Sequence, residues 1–435
     1  MPCIAPLAEA LGRLTGTDAD ELLLKGSFET FRRTYERAAA ALMEQRRTER
    51  TVGTRATWIG TAGGYARVKY PYEPGVVTGR TAVERLCGAE QAATSKRGKG
   101  VRGLPKATRA ARRLVAQTAA RLGSFDEAVE TLGERGLWMG RTTVRLIALE
   151  AGRRTREAVR KGRPESLPRR RWRPPHWARR VPRTMVVMID GKAFPCAKAD
   201  LRGRRGRNGG AAKGRNANVI CCGWYEWADR RGKPIFPPGS IRYETTGEGG
   251  AQLGRAAWRI AVQEGVLGAR RVQFVTDGEE ELEHVFQEHF KALPNCTRVL
   301  DAMHACQYVD AIVKALETDE GRARSASRLL RRRLVKAGWE GWLPSLERRY
   351  GEGAGERLSG DARKAWQYLW KRRGMMDYGR YARRHLVIGS GMAEVGCKLT
   401  IGSRLAGPGM HWRFQNGLCI AQLRAVMRSG LLPAV

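Results

Sequence analysis

Short apolar runs recur from residue 184 onward in this chain, which has 435 residues in all. Their β-branched and aromatic residues predict strands at 185–189, 218–225, 272–276 and 297–300. Apolar positions at helical spacing predict helices at 251–266, 279–291, 303–318 and 391–405. Strands followed by alternating strands and helices are typical of an α/β fold, which is the fold class we expect.

Two further regions carry a mainly helical pattern. Between about 305 and 385 the chain is helical in character and rich in Arg and Trp, so we predict an all-helical insertion within the α/β region. Residues 1–95 combine helical spacing with a strand-like segment at 61–72. We predict a small N-terminal module there, whose role the sequence does not indicate.

A helix-turn-helix is predicted within the DNA-binding region that we assign to 96–152. Ser124 is suited to cap a helix, and Glu127 stands three residues later, as in a capping box. A glycine-containing turn then leads to a second helix that begins at Arg141. That helix could contact base edges in a major groove through Thr142, Thr143 and Arg145. An ordinary helical hairpin is the alternative interpretation.

Residues 153–183 are rich in Arg and Pro, and the prolines disfavour a regular helix. We predict a linker between two domains. Its arginines could also neutralise DNA phosphates while a tryptophan stacks on a base. The residues that we single out for these contacts are Arg169, Arg170, Arg171 and Trp172. A linker without DNA contacts is the simpler alternative, and both interpretations can hold together.

The charge balance narrows the class of partner. The chain has 80 Lys and Arg against 43 Asp and Glu, a formal charge of +37. Such an excess repels itself, and a polyanionic partner is the simplest explanation for it. No apolar run approaches the roughly 20 residues needed to span a bilayer, and the N-terminus lacks a signal pattern. We therefore expect nucleic acid, and no membrane, as the partner.

The nine cysteines do not form a CxxC pair, which argues against a disulfide framework or a structural zinc site. Cys221 and Cys222 are adjacent within an apolar run and are expected in the core. We expect an intracellular, reduced and cytoplasmic protein.

Acidic residues directly follow three of the predicted strands. Asp190, Asp277 and Asp301 hold these positions, and Glu394 lies on a later predicted helix. Carboxylates gathered at the carboxyl ends of strands can hold two Mg²⁺ ions, with Mn²⁺ as a substitute, for phosphoryl transfer. Lys398 stands one turn after Glu394 and could contact phosphate, although a surface ion pair between the two is the common alternative.

Asp301 also begins a DxxH motif, in which His304 could orient a carboxylate or contact the scissile phosphate. A structural hydrogen bond is the alternative for this histidine. Together with the acids, this motif resembles bacterial insertion-sequence transposases of the ISKra type, which are related to Mutator-like transposases. The segments that carry the resemblance are 188–191, 276–278, 300–305, 389–398 and 409–412, and the resemblance covers roughly 120 to 420.

The resemblance implies an RNase H-like catalytic core with a DDE triad of Asp190, Asp277 and Glu394. Asp301 and His304 would form an accessory motif. It further implies binding to the terminal inverted repeats of a mobile element and to target DNA, and a homodimer or higher oligomer in a bacterial, nucleoid-associated setting. The second acid stays open between Asp277 and Asp301, because Gln307 and the residues after Gly278 depart from the family pattern.

Three functions are weighed. The leading one is a DNA transposase that cleaves and joins strands in a metal-dependent reaction. The alternatives are a catalytically silent transposase-derived DNA-binding protein and an RNase H-like structure-specific nuclease. We predict that the catalytic core comprises 184–304 and 386–420, interrupted by the insertion at 305–385. A C-terminal tail is predicted at 421–435.

Overall fold

A computed structural model describes residues 33, 35–41, 53–61, 64–72, 107–162, 172–206 and 209–435. The chain divides into two compact units. The N-terminal unit comprises Met1–Pro164, Gln415–Met427 and Leu432–Val435, and the sheet unit comprises Glu165–Phe414 and Arg428–Leu431. No helix in the described part of the chain is both long enough and apolar enough to cross a membrane.

The N-terminal unit contains an antiparallel hairpin and a set of helices. The hairpin is formed by β1 (Gly53–Thr61) and β2 (Gly64–Tyr72). Its helices include α1 (Arg109–Arg121), α2 (Phe125–Gly133) and α3 (Arg141–Lys161). The predicted cap of α2 is confirmed, since the Ser124 hydroxyl accepts from the Glu127 amide at 3.0 Å. The Glu127 carboxylate in turn accepts from the Gly123 amide at 3.1 Å.

Helix α3 corrects the predicted start of the linker at 153. The helix continues to Lys161, because Gly152, Thr155 and Val159 recur at helical spacing and are buried. On its outer side, acidic residues pair with the basic residues one turn later, as Glu150 does with Arg154 at 3.0 Å. Four arginines of the predicted linker, Arg153, Arg154, Arg156 and Arg160, therefore belong to a regular helix. The predicted end of the linker at 183 is also corrected, because a strand begins at Arg179.

The sheet unit is built on a mixed six-stranded sheet. Its strands are β3 (Arg179–Pro195), β4 (Gly214–Ala228), β5 (Pro234–Ile235), β6 (Ile241–Thr246), β7 (Arg271–Thr276) and β8 (Cys296–Leu300). The order is β5-β4-β3-β7-β8, and β6 also pairs with β4. β7 and β8 run parallel to β3, whereas β4 is antiparallel to β3 and to β6. The expected α/β class is confirmed at this level.

Helices cover the sheet and connect its strands. A short helix α4 (Lys198–Leu201) lies between β3 and β4, α5 (Gly250–Gln263) precedes β7, and α6 (Glu280–Val285) follows it. The π-helical turn Phe286–Phe290 extends α6. Sheet residues such as Val187 and Phe274 form one buried cluster with residues of α5, so burial of the apolar strand faces fixes these helices on the sheet.

The predicted insertion is helical throughout. It contains α7 (Ala302–Leu316), α8 (Glu320–Tyr350), α9 (Gly360–Lys371) and α10 (Tyr378–Arg383). Helix α8 bends at Gly338, whose φ of 68° favours glycine. Four indole rings pack together in the insertion, with neighbouring centroids 5.1–6.1 Å apart, and they belong to Trp339, Trp342, Trp366 and Trp370.

The chain then returns through α11 (Gly391–Cys397), the π-helical turn Lys398–Gly402 and α12 (Ser403–Leu405) to the last helix, α13 (Phe414–Arg428). The predicted C-terminal tail is wrong, because α13 is a buried helix of the N-terminal unit. A Cβ added to Gly152 of α3 would lie 2.5 Å from the Cys419 Cβ, so the two backbones approach closely.

Candidate active site

Three aspartates lie level with one another on adjacent parallel strands. In the register of the sheet, Met188 of β3 pairs with Val275 of β7, and Asp190 and Asp277 each stand two residues further on. Asp301 follows Leu300 of β8, which pairs with Thr276 directly before Asp277. Because neighbouring strands are about 4.8 Å apart, this register gathers the predicted acids at one edge of the sheet.

Asp190 interacts electrostatically with the other two acids of the expected triad. Burial raises the pKa of its carboxyl, and the charges of Asp277 and Glu394 raise it further, against lowering hydrogen bonds from Cys397 and Gly191. The Gly191 amide donates to Asp190 Oδ1 at 2.7 Å. Negative charges that raise the pKa of Asp190 in this way favour a cation beside it.

Helix α11 brings Glu394 to the sheet through close packing. Gly396 permits the approach, since a Cβ there would lie 2.9 Å from the Tyr243 ring and 3.1 Å from Cys221 Sγ. The buried Cys397 thiol, one turn after Glu394, donates to the main-chain oxygen of Asp190 at 3.5 Å. The same helix therefore carries the acid and the contact that ties it to β3.

The Glu394 carboxylate is exposed and accepts from Ser390 Oγ at 3.1 Å. Lys398 is also exposed one turn later. Within the described residues these two side chains do not form the surface ion pair that was the alternative interpretation, although their helical spacing would allow it. Lys398 is thus available to an anion beside the site.

Asp301 differs from its neighbours because both of its carboxylate oxygens are already engaged. It is 2% exposed, and it caps α7 by accepting from the His304 amide at 2.6 Å. Its other oxygen accepts from the Ser390 amide just before α11. The main chain adds a bond of 2.9 Å from Ala302 to Ile388. Asp301 thus ties the end of β8 to the start of α11.

His304 lies half-buried beside two tyrosines. Its ring is 5.6 Å from that of Tyr308, in an edge-on arrangement, and 6.4 Å from that of Tyr368. Its charge lowers the pKa of Glu279, which is otherwise raised by burial and by the acids nearby. The imidazole is therefore close enough to the acidic cluster to act on its electrostatics.

Glu279 is an acid of this cluster that the sequence analysis did not select. Burial raises the pKa of its carboxyl, and the charges of Asp277, Glu281 and Asp190 raise it further. Its amide donates to Asp277 Oδ1 at 3.0 Å, which fixes the second acid in a tight turn after β7. The signal for it was present, since an acid stands two residues beyond Asp277 in the sequence.

Two residues of the helical insertion also escaped the sequence analysis. Tyr368 of α9 donates its hydroxyl to the main-chain oxygen of Asp277. Arg372, in the turn after α9, donates through Nε to the Gly278 oxygen at 3.1 Å and lies 3.9 Å from the centre of the Tyr368 ring. We call this pair the insertion clamp. It holds the loop that carries the second acid from a position about 90 residues later in the chain.

The donor chemistry of the cluster suits Mg²⁺ or Mn²⁺, which prefer carboxylate oxygens. In the described residues, however, no three His, Cys, Asp or Glu side chains are arranged to hold one metal ion. The charges of Asp277 and Glu394 act on the Asp190 carboxyl, but these described side chains do not form a closed coordination shell. A divalent cation fits the charge and the donor atoms of these side chains.

The predicted DNA-contacting residues fall outside the acidic cluster. Thr142 and Arg145 are exposed in the first turns of α3, and Thr143 is half-buried. Trp172 is half-buried ahead of β3. The three predicted linker arginines, Arg169, Arg170 and Arg171, lie outside the described residues.

Comparison with known proteins adds no assignment to this geometry. No protein-family model matches the chain, and no curated protein matches it. The placement of the side chains is therefore what a functional assignment must rest on.

Proposed function

We propose that this protein is a DNA transposase that cleaves and joins DNA strands in a divalent-metal-dependent reaction. The observation that carries the proposal is the convergence of three acids from three separate elements. The strand register sets Asp190 level with Asp277, and Cys397 ties the helix of Glu394 to Asp190. The charges of Asp277 and Glu394 also raise the pKa of Asp190. The +37 charge of the chain supports a polyanionic substrate. The resemblance to insertion-sequence transposases supplies the same triad by motif.

The topology of the sheet unit supports an RNase H-like core as part of the proposal. In such a core, the first strand lies centrally between an antiparallel pair and two parallel strands. Here β3 lies between the antiparallel strands β4 and β6 on one side and the parallel strands β7 and β8 on the other. Asp277 and Asp301 directly follow β7 and β8, whereas Asp190 lies inside β3, level with Asp277 and five residues before the end of the strand. This placement of the acids fits the arrangement.

We assign the second acid of the proposed triad to Asp277 rather than Asp301. Asp301 is buried, and its two oxygens accept from the His304 and Ser390 amides. Asp277 is half-buried and contributes to the pKa of Asp190. A carboxylate that binds a cation needs free oxygen lone pairs, which Asp277 retains beyond its bond from Glu279.

In this proposal Asp190, Asp277 and Glu394 hold the metal, with Glu279 adding negative charge beside them. When bound, Mg²⁺ would activate the attacking oxygen and stabilise the leaving oxygen of the phosphodiester. Asp301 keeps α11 against the end of β8, and exposed Lys398 is placed to attract the DNA phosphate. By the family resemblance, the protein would act as a homodimer or higher oligomer on two element ends.

The decisive experiment is a strand-cleavage assay. Labelled duplexes carrying the DNA that flanks this gene are incubated with the protein in Mg²⁺ or Mn²⁺, and Glu394→Gln is compared with Glu340→Gln. Glu340 is an exposed acid of α8 and serves as the control. We expect the Glu394 variant to lose at least 100-fold in cleavage while still binding the duplex.

Two outcomes would replace the proposal. Specific binding of the flanking duplex without cleavage by the unaltered protein would identify a catalytically silent DNA-binding protein. Cleavage of branched junctions in preference to linear ends would identify a structure-specific nuclease. Equal cleavage by both glutamine variants would show that Glu394 is not a catalytic residue.

A further inference from the structure

Helix α8 carries a strongly basic segment before its bend. Residues 322–336 include seven basic residues and no acid: Arg322, Arg324, Arg328, Arg331, Arg332, Arg333 and Lys336. Two of the seven are neutralised locally. Arg324 pairs with Glu320 at 3.0 Å, and Arg331 pairs with Asp310 of α7 at 3.4 Å. The other five carry no ion pair within the described residues.

The unpaired basic residues share one side of the helix. At about 100° per residue, Arg322, Arg332, Arg333 and Lys336 fall within an arc of about 100°. All four are exposed. The adjoining side of α8 is buried through Ala326, Leu330 and Leu334. We call the exposed arc, together with Arg328 at its border, the α8 basic strip.

We propose that the α8 basic strip binds the phosphate backbone of duplex DNA outside the catalytic site. The strip runs for about 21 Å from Arg322 to Lys336 at about 1.5 Å per residue, over which B-DNA presents about one charge per 1.7 Å of its axis. This inference rests on the proposed function, since it extends the DNA footprint of the same unit.

A membrane surface would require a different helix. An amphipathic helix that lies on lipid keeps its apolar side free to enter the bilayer, whereas the apolar side of α8 is buried within the protein. Leu329, 48% exposed, is the single large apolar residue on the strip. A row of guanidinium groups around one leucine matches a phosphate backbone in which sugars lie between the charges.

The test compares two charge-matched variants in duplex binding. The strip variant carries Arg322→Gln, Arg332→Gln and Lys336→Gln. The control variant removes three exposed basic residues from the loop between β4 and β5, namely Arg230, Arg231 and Lys233. Binding of a labelled 30-base-pair duplex of random sequence is measured at roughly 50 to 200 mM salt. Ca²⁺ replaces Mg²⁺, so that binding is measured separately from cleavage. Circular dichroism verifies the fold of both variants.

We expect the strip variant to lower the slope of log affinity against log salt by about 2.7, at about 0.9 per phosphate contact. Its affinity deficit should then shrink about 40-fold between 50 and 200 mM salt. The control variant should keep the slope of the unaltered protein. Equal losses of affinity in both variants would indicate an effect of net charge only. A strip variant with unchanged affinity and salt slope would show that the strip does not contact DNA. Either result overturns the inference.

The two proposals fail in different ways. If the unaltered protein does not bind duplex DNA at all, the proposed function fails and the α8 inference fails with it. If it binds and cleaves DNA but the strip variant matches the control, only the inference fails. Preferential binding of the strip to vesicles with anionic lipid over duplex DNA would also overturn it.

Discussion

In the proposed metal site, the insertion clamp should control how readily Asp277 takes up a divalent cation. Tyr368→Phe removes the hydroxyl that donates to the Asp277 main-chain oxygen, while the ring keeps its stack on Tyr308 at 3.9 Å. A neutral hydrogen bond of this kind contributes about 0.5–1.5 kcal/mol. If that free energy holds the Asp277 loop ready for the cation, the Mg²⁺ concentration for half-maximal cleavage should rise about 2- to 12-fold, since 1.4 kcal/mol is tenfold.

A second tyrosine supplies a matched control. Tyr381 of α10 is buried and donates its hydroxyl to the main-chain oxygen of Arg298, within β8 and away from the Asp277 loop, at 3.4 Å. Tyr381→Phe should lower the free energy of unfolding by a comparable amount but leave the Mg²⁺ requirement unchanged. Both variants are measured by urea unfolding in EDTA and by cleavage over a Mg²⁺ series, or by calorimetric titration with Mn²⁺.

The two measurements separate a positioning role from a purely structural one. Loss of stability in both variants with identical metal dependence would refute the reasoning, because the clamp would then only support the fold. A shift confined to Tyr368→Phe would show that the insertion prepares the catalytic loop. Arg372→Met should shift the metal requirement further, since its bond to Gly278 carries a full charge.

Three other outcomes follow from the geometry. The raised pKa of Asp190 means that its charge costs stability in metal-free protein as the pH rises from the ordinary aspartate pKa through the raised one. Asp190→Asn should therefore raise Tm in EDTA at pH 7, lose this advantage at about pH 3, below both pKa values, and abolish cleavage. An unchanged Tm at pH 7 would contradict the raised pKa. Gly152→Ala should lower stability by about 1–3 kcal/mol through overpacking, whereas Gly268→Ala, in an exposed 3-10 turn with nothing within 4 Å of an added Cβ, should change it by less than about 1 kcal/mol in denaturant unfolding. Replacing the exposed Thr142 and Arg145 with Ala should erase the preference for element ends over random duplex in a competition binding assay. If the preference is retained, α3 is not the helix that recognises the DNA sequence.

The strands and acids of the site were predictable because their signals are local. Apolar runs that end in Asp marked β3, β7 and β8, and each observed strand contains the predicted run. Strand β6 was missed for the opposite reason. Its Arg242 and Glu244 are charged yet buried, and Glu244 pairs with Arg259 of α5, a partner that no local pattern indicates.

The distinction between Asp277 and Asp301 lay beyond local pattern as well. Both acids directly follow a buried strand, so their sequence contexts are alike. What separates them is the Ser390 amide, which reaches Asp301 from 89 residues away. The insertion clamp acts over a similar separation on the other acid. Contacts of this range depend on the completed tertiary fold.

Because α13 belongs to the N-terminal unit, this unit cannot be completed until the end of the chain has been synthesised. The N-terminal unit stops at Pro164 and resumes at Gln415, so roughly 250 residues are synthesised before its missing helix appears. At about 5–20 residues per second, that gap lasts about 12–50 s on the ribosome. During this interval the backbone groove beside Gly152, which Cys419 later fills, stays open while the sheet unit is free to fold first. The C-terminal helix thus completes the first domain last, and a ribosome that stalls within the sheet unit leaves an N-terminal unit with an exposed core.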